Sequence, residues 1–524
     1  MTDIKSIIER LSSNEEMLSY KPELITGVNY LCEIVKVTLG AKGKNVLYND
    51  TVTNLPRITK DGVTAANQVR SSDPMENMAI EIVREASRNT VKTSGDGTTT
   101  TIILATALIN KGYELLTNKV ITYYELSRLI DTVKNDVIEY YKANSLNIED
   151  NFDKLLHVAT ISSSSSEIGS FIYDIVKEIG IYGSIEVRKS NNNRDKIDQV
   201  KGLKLHKGYY AGQFVNDYKK MVWKEQGVYI VLFNDTIRTM NDVTYYLQSL
   251  NESLGYTPPV LFFVNDIEST ILETLITNKT FNKNFNVMFV EFDGFGDRRT
   301  QIMSDISSLV SADILNSNNM EGAIGYAEEV IVNSETTSIL GGSSDELKIK
   351  SLIEETLYYL ESDDVIEYDK VYYKRRLASL RGGVAVIHVG AVTEVEMNER
   401  KDRIDDAVEA TKAAIDRGIS IGGGYTSYHA YKSLLKADNK LYNEILEIIV
   451  EPLRQLCINS DYSYDEVIKN ISNNKGYNVI DNSFIELKDY NVYDPTGVLI
   501  DALTNASAVA KSILSIERSV YNKR

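Results

Sequence analysis

The chain has 524 residues, too many for one hydrophobic core, so two to four domains are expected; its 43% hydrophobic and 25% charged residues are those of an ordinary globular protein. A formal net charge of −17 argues against nucleic-acid binding, and 2 cysteines with 4 scattered histidines (His157, His206, His388, His429) leave no disulfide framework, thiolate cluster or zinc motif within one chain. Met1-Thr2-Asp3-Ile4-Lys5 opens no secretory h-region and no 18-residue apolar run offers a membrane span, so a cytoplasmic protein is expected.

In chain order, 3.6-residue apolar spacing predicts helices over 75–91, 102–116 and 122–142. Ser162–Ser166 reads as a loop, either a short linker or, with Glu167 following, a helix cap, and Asn191–Asn193 as a second loop. Val228–Phe233 and Val260–Val264 are short apolar runs, each followed by an amphipathic stretch, which is the pattern of α/β units. Val384–Val389, after Gly382-Gly383, is another buried strand. Helical spacing returns over 404–416, 442–459 and 500–516, and no internal repeat is evident.

Five clusters bear on chemistry. Gly95-Asp96-Gly97-Thr98-Thr99-Thr100-Thr101 stands directly before the buried-helix run Ile102–Ile109. Glycines allow close backbone approach to a ligand, amides at a helix start and threonine hydroxyls suit phosphate oxygens, and the lone aspartate suits Mg²⁺. A plain Gly-Asp turn with a threonine cap is the alternative, but four consecutive threonines favour a phosphate cradle. It is not a Walker loop, since no G-x-x-x-x-G-K-[ST] occurs. Ile58–Val63 ends in Asp-Gly, by itself a hairpin signal. Arg403–Val408 opens a helix with apolar-face positions 404, 407, 408, 411, 414 and 415, whose two aspartates would complement the dipole of a first turn. Gly422-Gly423-Gly424 implies ligand contact or tight packing, and Asp494-Pro495-Thr496-Gly497 alone is a turn. Separated aspartates with two glycine clusters fit Mg-nucleotide hydrolysis.

Together with Thr38–Gly43, Thr59–Val63, Gly294-Phe295-Gly296-Asp297-Arg298-Arg299, Gly382–Val386 and Thr393–Met397, these motifs follow one order from about residue 20 to residue 520 in which the chain resembles a group I chaperonin of the GroEL type. The resemblance implies a multidomain α/β subunit with an α-rich equatorial ATPase domain (1–142 and 417–524), an intermediate domain (143–200 and 385–416) and an apical substrate-binding domain (201–384). Hinges are implied at Gly202, Gly383 and Gly418. Leu39, Gly40, Lys60, Gly97, Thr98, Thr99 and Thr100 match the ATP site, with Gly40 and the 97–100 amides on the phosphates. Asp96 matches the Mg²⁺ ligand, with K⁺ as an optional second ion. Asp61 and Asp406 match the residues that position and polarise the attacking water, Asp406 arriving by rotation about Gly418, which would gate hydrolysis. Ile161, Ser162, Gly423, Asn478, Val479, Val492 and Asp494 match the nucleotide side, with Asp494 as ribose-hydroxyl acceptor.

The sequence departs from the family pattern at Ala41, where proline is usual, at Lys207, where arginine is usual, and at the end Tyr521–Arg524, which is no glycine-methionine tail and implies an emptier chamber floor. The implied client groove is formed by helices near 237–250 and 269–279 with the segment Tyr209–Phe214. Tyr209, Phe214, Leu247, Leu272 and Ile276 keep apolar character there, Leu275 facing inward, while Gln213, Thr244 and Thr277 place polar groups on it. Weaker capture, narrower clients and a reduced need for a GroES-like lid are expected. The reading is an ATP-dependent protein-folding chaperonin, a homo-oligomeric ring that is typically sevenfold, single or double. It encloses non-native client proteins and uses neither nucleic acid nor membrane. Lys44–Leu47 and Arg518–Tyr521 match segments that pair between subunits. The rivals are a chaperonin-fold scaffold without a productive ATPase cycle and a small-molecule phosphotransferase sharing only the Gly-Asp-Gly-Thr loop. Low Pro (7) and abundant Tyr (33) fit a divergent lineage such as a viral genome expressed in a bacterial host.

Overall fold

The computed structural model describes residues 20–49, 56–190, 194–282, 285–294, 296–362, 367–382, 384–471 and 474–517. Gly383, Asn191–Asn193 and Arg518–Tyr521 lie outside them. The chain forms two compact units, residues 1–173 with 402–524 and residues 174–401. The two pieces expected to make an intermediate domain are thus shared between the units.

The first unit is helical. Helices Tyr20–Val35, Pro74–Ser94, Thr98–Thr117, Tyr123–Ala143 and Thr496–Ser515 bury their apolar stripes in one core that includes Val28, Ile80, Ile102, Ile109, Val137 and Ala506. Their ends obey local chemistry. Asp73 caps Pro74–Ser94 by accepting from the N–H groups of Met75 and Glu76, with proline at the first position. Thr122 and Glu125 form a capping box on Tyr123–Ala143. The 442–459 periodicity resolves into Lys440–Leu446, a 3₁₀ turn Glu447–Val450 and Glu451–Asn459.

Two expectations are corrected in this unit and one open alternative is decided. Helix Glu394–Arg417 begins nine residues before Arg403, so Asp405 and Asp406 are interior and serve no N-terminal dipole. Ser162 and Ser163 close helix Leu155–Ser163, Ser164 turns left-handed, and the Ser165 hydroxyl accepts from the Ile168 N–H at 3.3 Å: of the two readings of this run the helix cap holds, at a junction of two helices. Helix Thr496–Ser515 is long and apolar enough to cross a membrane by length and composition. Ala502, Leu503, Ala506, Val509, Ala510, Ile513 and Leu514 bury that apolar surface in the core.

The second unit carries a seven-stranded sheet. Trp223–Ile237, Val260–Ile267 and Val287–Glu291 run parallel, and Gly325–Val332, Thr337–Gly342 and Gly202–Leu205 extend it antiparallel on the other side. Ile314–Leu315 also pairs with the long strand. Leu261, Phe262, Phe263, Met288 and Phe289 are all buried, the continuous apolar run expected of parallel strands covered on both faces. A separate sheet pairs Val384–Val389 with Ser184–Lys189 and Lys196–Val200.

Candidate functional site

The site lies within the first unit and is built on the start of helix Thr98–Thr117. Gly97 precedes it at φ +100°, and no side chain caps it, so its leading N–H groups are left for a ligand. The Thr98 hydroxyl is buried without a hydrogen-bond partner. Burial of an unpaired hydroxyl costs about 1–3 kcal/mol unless something supplies the missing bond. Thr99 Oγ1 lies 3.4 Å from Thr38 Oγ1, and a Cβ on Gly62 would stand 2.2 Å from Thr99 Oγ1, so only glycine lets the Asp61-Gly62 turn abut the threonines. This turn opens no hairpin. Asp61 caps helix Gly62–Gln68, its two oxygens accepting from Val63 N at 3.0 Å and Thr64 N at 2.7 Å, which fixes the carboxylate and leaves its remaining lone pairs free.

Helix Glu394–Arg417 meets the loop at Gly95, where a Cβ would stand 2.3 Å from Glu409 Cβ. Asp406, three residues earlier, shares that face of the helix. The Ser162 hydroxyl donates to the Asp406 carbonyl at 2.9 Å. Opposite, strands Ile419–Ile421 and Tyr493–Pro495 pair Ser420 with Asp494, and the Gly422 N–H donates to the Val492 carbonyl at 2.9 Å. Asn478 ends the first strand of hairpin Lys475–Asn478/Ser483–Glu486, its Oδ1 accepting from Ile480 N, while Val479 packs against the core.

Four carboxylates therefore converge. Burial pushes Asp406 up to about 8, helped by the charges of Asp96, Asp61, Asp402 and Asp405. Burial and Asp96 push Asp494 up to about 6 against the Gly423 N–H. Burial raises Asp96 as well, the Gly97 N–H opposes this, and Asp61 adds to it. Asp96 and Asp406 are nonetheless exposed as residues, as a site that admits a ligand requires. On the positive side, Lys60 donates to the Ala41 carbonyl at 3.0 Å, and burial together with neighbouring Arg403 lowers its pKa. Among the described residues no three His, Cys, Asp or Glu side chains make a metal cage by themselves. Mg²⁺ needs none: it takes one or two carboxylates and completes its octahedron with phosphate oxygens and water. The crowded carboxylates and the orphaned Thr98 hydroxyl fit such a group.

Residues 31–524 match the family model of the TCP-1/cpn60 chaperonins. The chain belongs to this family. Two crystal structures of the chaperonin gp146 from the bacteriophage EL 2 (Pseudomonas aeruginosa), both obtained in the presence of ATP-BeFx, share its fold at 20% identity. Crystal form II matches with a TM-score of 0.72 over 95% of this chain and 97% of that one, and crystal form I with 0.65 over 96% and 98%. This chaperonin is thus a divergent member.

The structure brings together Leu39, Gly40, Lys60, Asp61, Asp96 and Thr98–Thr100 on the threonine side and Gly423, Asn478, Val492 and Asp494 on the glycine side. Ile161, beside Ser162, is an exposed apolar residue. Gly418 takes φ +74°, which demands glycine, whereas Gly202 sits in a regular strand ladder opposite Leu340. Sequence reasoning missed Asn459. Its Nδ2 donates to the carbonyls of Lys36 and Leu39 at 3.1 and 2.9 Å, and so anchors the Gly40 loop from more than 400 positions away. An asparagine at the end of an apolar helix gives no local sign of that.

The expected groove of the chaperonin's second unit is partly corrected. Helices Asn241–Leu254 and Ser269–Phe281 are present, and Leu275 is buried as expected. Phe214 is also fully buried, edge-on to Phe289 with ring centres 5.0 Å apart, so it shows no surface to a client. Leu247 is likewise buried. Tyr209, Leu272 and Ile276 are half-buried at the surface. The Thr244 and Thr277 hydroxyls donate to the carbonyls of Met240 and Glu273 four residues back, so each helix satisfies them internally. Gln213, the third polar position, is exposed. Lys207 forms an ion pair with Glu291 at 2.7 Å.

Proposed function

We propose that this chaperonin is an ATP hydrolase that folds non-native proteins inside a homo-oligomeric ring, with Mg²⁺ as cofactor. The convergence of Asp61, Asp96, Asp406 and Asp494 on the uncapped threonine start of one helix carries the reading. The presence of ATP-BeFx in the crystals of the phage EL 2 chaperonin supports it. Gly97 and Thr98–Thr100 would donate N–H and hydroxyl groups to the phosphates, Asp96 would hold Mg²⁺, and Gly423, Asn478 and Asp494 would receive the nucleoside. Bound Mg²⁺ supplies charge neutralisation at the phosphates. Asp61, held by two backbone N–H groups, orients the attacking water. Asp406, on the helix face that meets the Gly95 turn, accepts its proton. The three-domain division, with Gly418, Gly202 and Gly383 as hinges, belongs to the same proposal, as does a location in the cytoplasm of a bacterium or an infected bacterial host.

Ring formation is supported by the hairpin Val46–Asn49/Pro56–Thr59, whose directly paired Leu47 and Ile58 are 70% and 68% exposed. A lone two-stranded ribbon with apolar side chains in water is marginal and calls for a partner edge. A neighbouring subunit supplies one in this reading. Steady-state ATP hydrolysis, together with refolding of a denatured protein by particles of ring size, tests it. Rings that neither hydrolyse ATP nor refold anything would establish the scaffold alternative instead.

A further inference from the structure

Tyr490 is not among the residues that the family resemblance singles out, yet it is 1% exposed and ringed by the nucleoside side of the site. A Cβ on Gly476 would stand 2.2 Å from the Tyr490 ring, and a Cβ on Gly423 would stand 2.4 Å from its hydroxyl, so both positions are glycine because the tyrosine fills their space. The hydroxyl donates to the Tyr477 carbonyl at 3.0 Å and lies 3.5 Å from the Gly422 carbonyl. Those two carbonyls belong to informative peptide units. The Tyr477 carbonyl shares its peptide with the nitrogen of Asn478, and the Gly422 carbonyl shares its peptide with the Gly423 N–H that bonds Asp494.

Besides Tyr490, the Tyr425 hydroxyl links the end of the glycine turn to the start of the hairpin by donating to Asn474 Oδ1 at 3.2 Å. The hairpin Lys475–Asn478/Ser483–Glu486 is anchored through the Tyr477 hydroxyl, which meets Ser460 at 2.7 Å and Asn482 at 2.8 Å. The glycine turn is anchored to the other strand pair through the Gly422 to Val492 bond. The buried Tyr490 hydroxyl stands between the Tyr477 and Gly422 carbonyls of the two loops. Burial and the charge of Asp494 both raise the Tyr490 pKa, so it remains a proton donor at any pH the protein meets.

We infer that Tyr490 is a positioning residue that holds the Asn478 hairpin and the Gly423–Asp494 turn at one separation, and so sets affinity for the nucleoside half of the ligand without touching the phosphate half. The inference rests on the ATP-site reading above. Its chemical consequence is selectivity: an intact ribose-and-base moiety gains from Tyr490, whereas a bare polyphosphate does not.

The test is Tyr490→Phe, which keeps the ring beneath Gly476 and removes only the hydroxyl. Kd for ATP and for inorganic tripolyphosphate, each with Mg²⁺, are measured by calorimetry on full-length protein, with KM, kcat and the melting temperature. A loss of one neutral hydrogen bond corresponds to roughly a fivefold change. The expected result is ATP Kd and KM raised about fivefold, with kcat and tripolyphosphate Kd unchanged. Equal weakening of both ligands, or a lowered melting temperature with ATP affinity intact, would overturn the inference while leaving the ATP site standing. Wild-type protein that binds no ATP would instead overturn the ATP-site reading, and this inference with it.

Discussion

The hydroxyl of Ser162 donates to the backbone carbonyl of Asp406 at 2.9 Å, so the helix junction 162–166 is tied to the middle of the helix that carries the proposed base. A serine run that in sequence allows either a linker or a helix cap is thereby a fastener. It fixes the height of Asp406 over the Asp96 loop, a contact that Gly95 permits by having no side chain to meet Glu409. The consequences divide by which group is removed.

Asp406→Ala is expected to leave ATP affinity nearly intact and to slow hydrolysis at least 100-fold, roughly the contribution of a positioned general base. Asp96→Ala is expected to weaken Mg-ATP binding itself, by about tenfold or more, because a ligand to the ion is lost. Ser162→Ala removes only a neutral hydrogen bond of ~1 kcal/mol and should slow hydrolysis about fivefold. Single-turnover rates alongside nucleotide Kd separate the three. Hydrolysis by Asp406→Ala at the wild-type rate would remove it from the mechanism.

The assembly prediction concerns the Leu47–Ile58 pair. Replacing both with lysine, or deleting residues 517–524, is expected to shift the particle from ring to monomer in sizing chromatography, because an edge strand carrying charge repels a partner edge. Rings that survive both changes at micromolar concentration would exclude this hairpin from the interface.

For clients, Thr244→Leu with Thr277→Val costs the helices nothing, since each hydroxyl serves only its own backbone four residues back. The added hydrocarbon offers roughly 1–2 kcal/mol of further burial. Tighter binding of a denatured model protein, approaching tenfold, with ATPase activity unchanged, is the expected outcome. No gain in binding would mean that these positions do not meet clients.

A fourth expectation follows from Asp501. Burial alone would raise its carboxyl, but the Arg417 guanidinium, at 2.8 and 2.7 Å, with Ser94 and Thr93, overcomes that and holds it below the usual range. A depressed folded-state pKa contributes stability above the unfolded value of ~3.9, and that stability is lost as pH falls through the folded value. Asp501→Asn should therefore lower the melting temperature at pH 7, and the gap to wild type should narrow below about pH 4. A gap that is constant with pH would show that the ion pair is not its source.

Much of this protein was legible from local pattern. The 3.6-residue spacing located helices Pro74–Ser94, Thr98–Thr117, Tyr123–Ala143 and Thr496–Ser515 because each buries one stripe, and it missed Tyr20–Val35. The order of the glycine and aspartate motifs sufficed for the family. What the sequence hid was non-local or satisfied out of sight. Helix Glu394–Arg417 runs through a charged stretch, 394–403, whose apolar stripe is faint, so Asp406 read as a first-turn residue when it is an interior one. Phe214 read as groove surface because apolar character does not say which side of a residue is covered; only packing against Phe289 decided it. Thr244 and Thr277 read as polar because a sequence records a hydroxyl and not its acceptor. Asn459 and Tyr490 carry no motif, since their partners are backbone carbonyls, which every residue possesses. Sequence alone determined which chemical groups were available. The tertiary structure decided which of them meet: Asp61, Asp96, Asp406 and Asp494 are brought within electrostatic reach of one another by the packing of helices and strand pairs, some of them hundreds of residues apart.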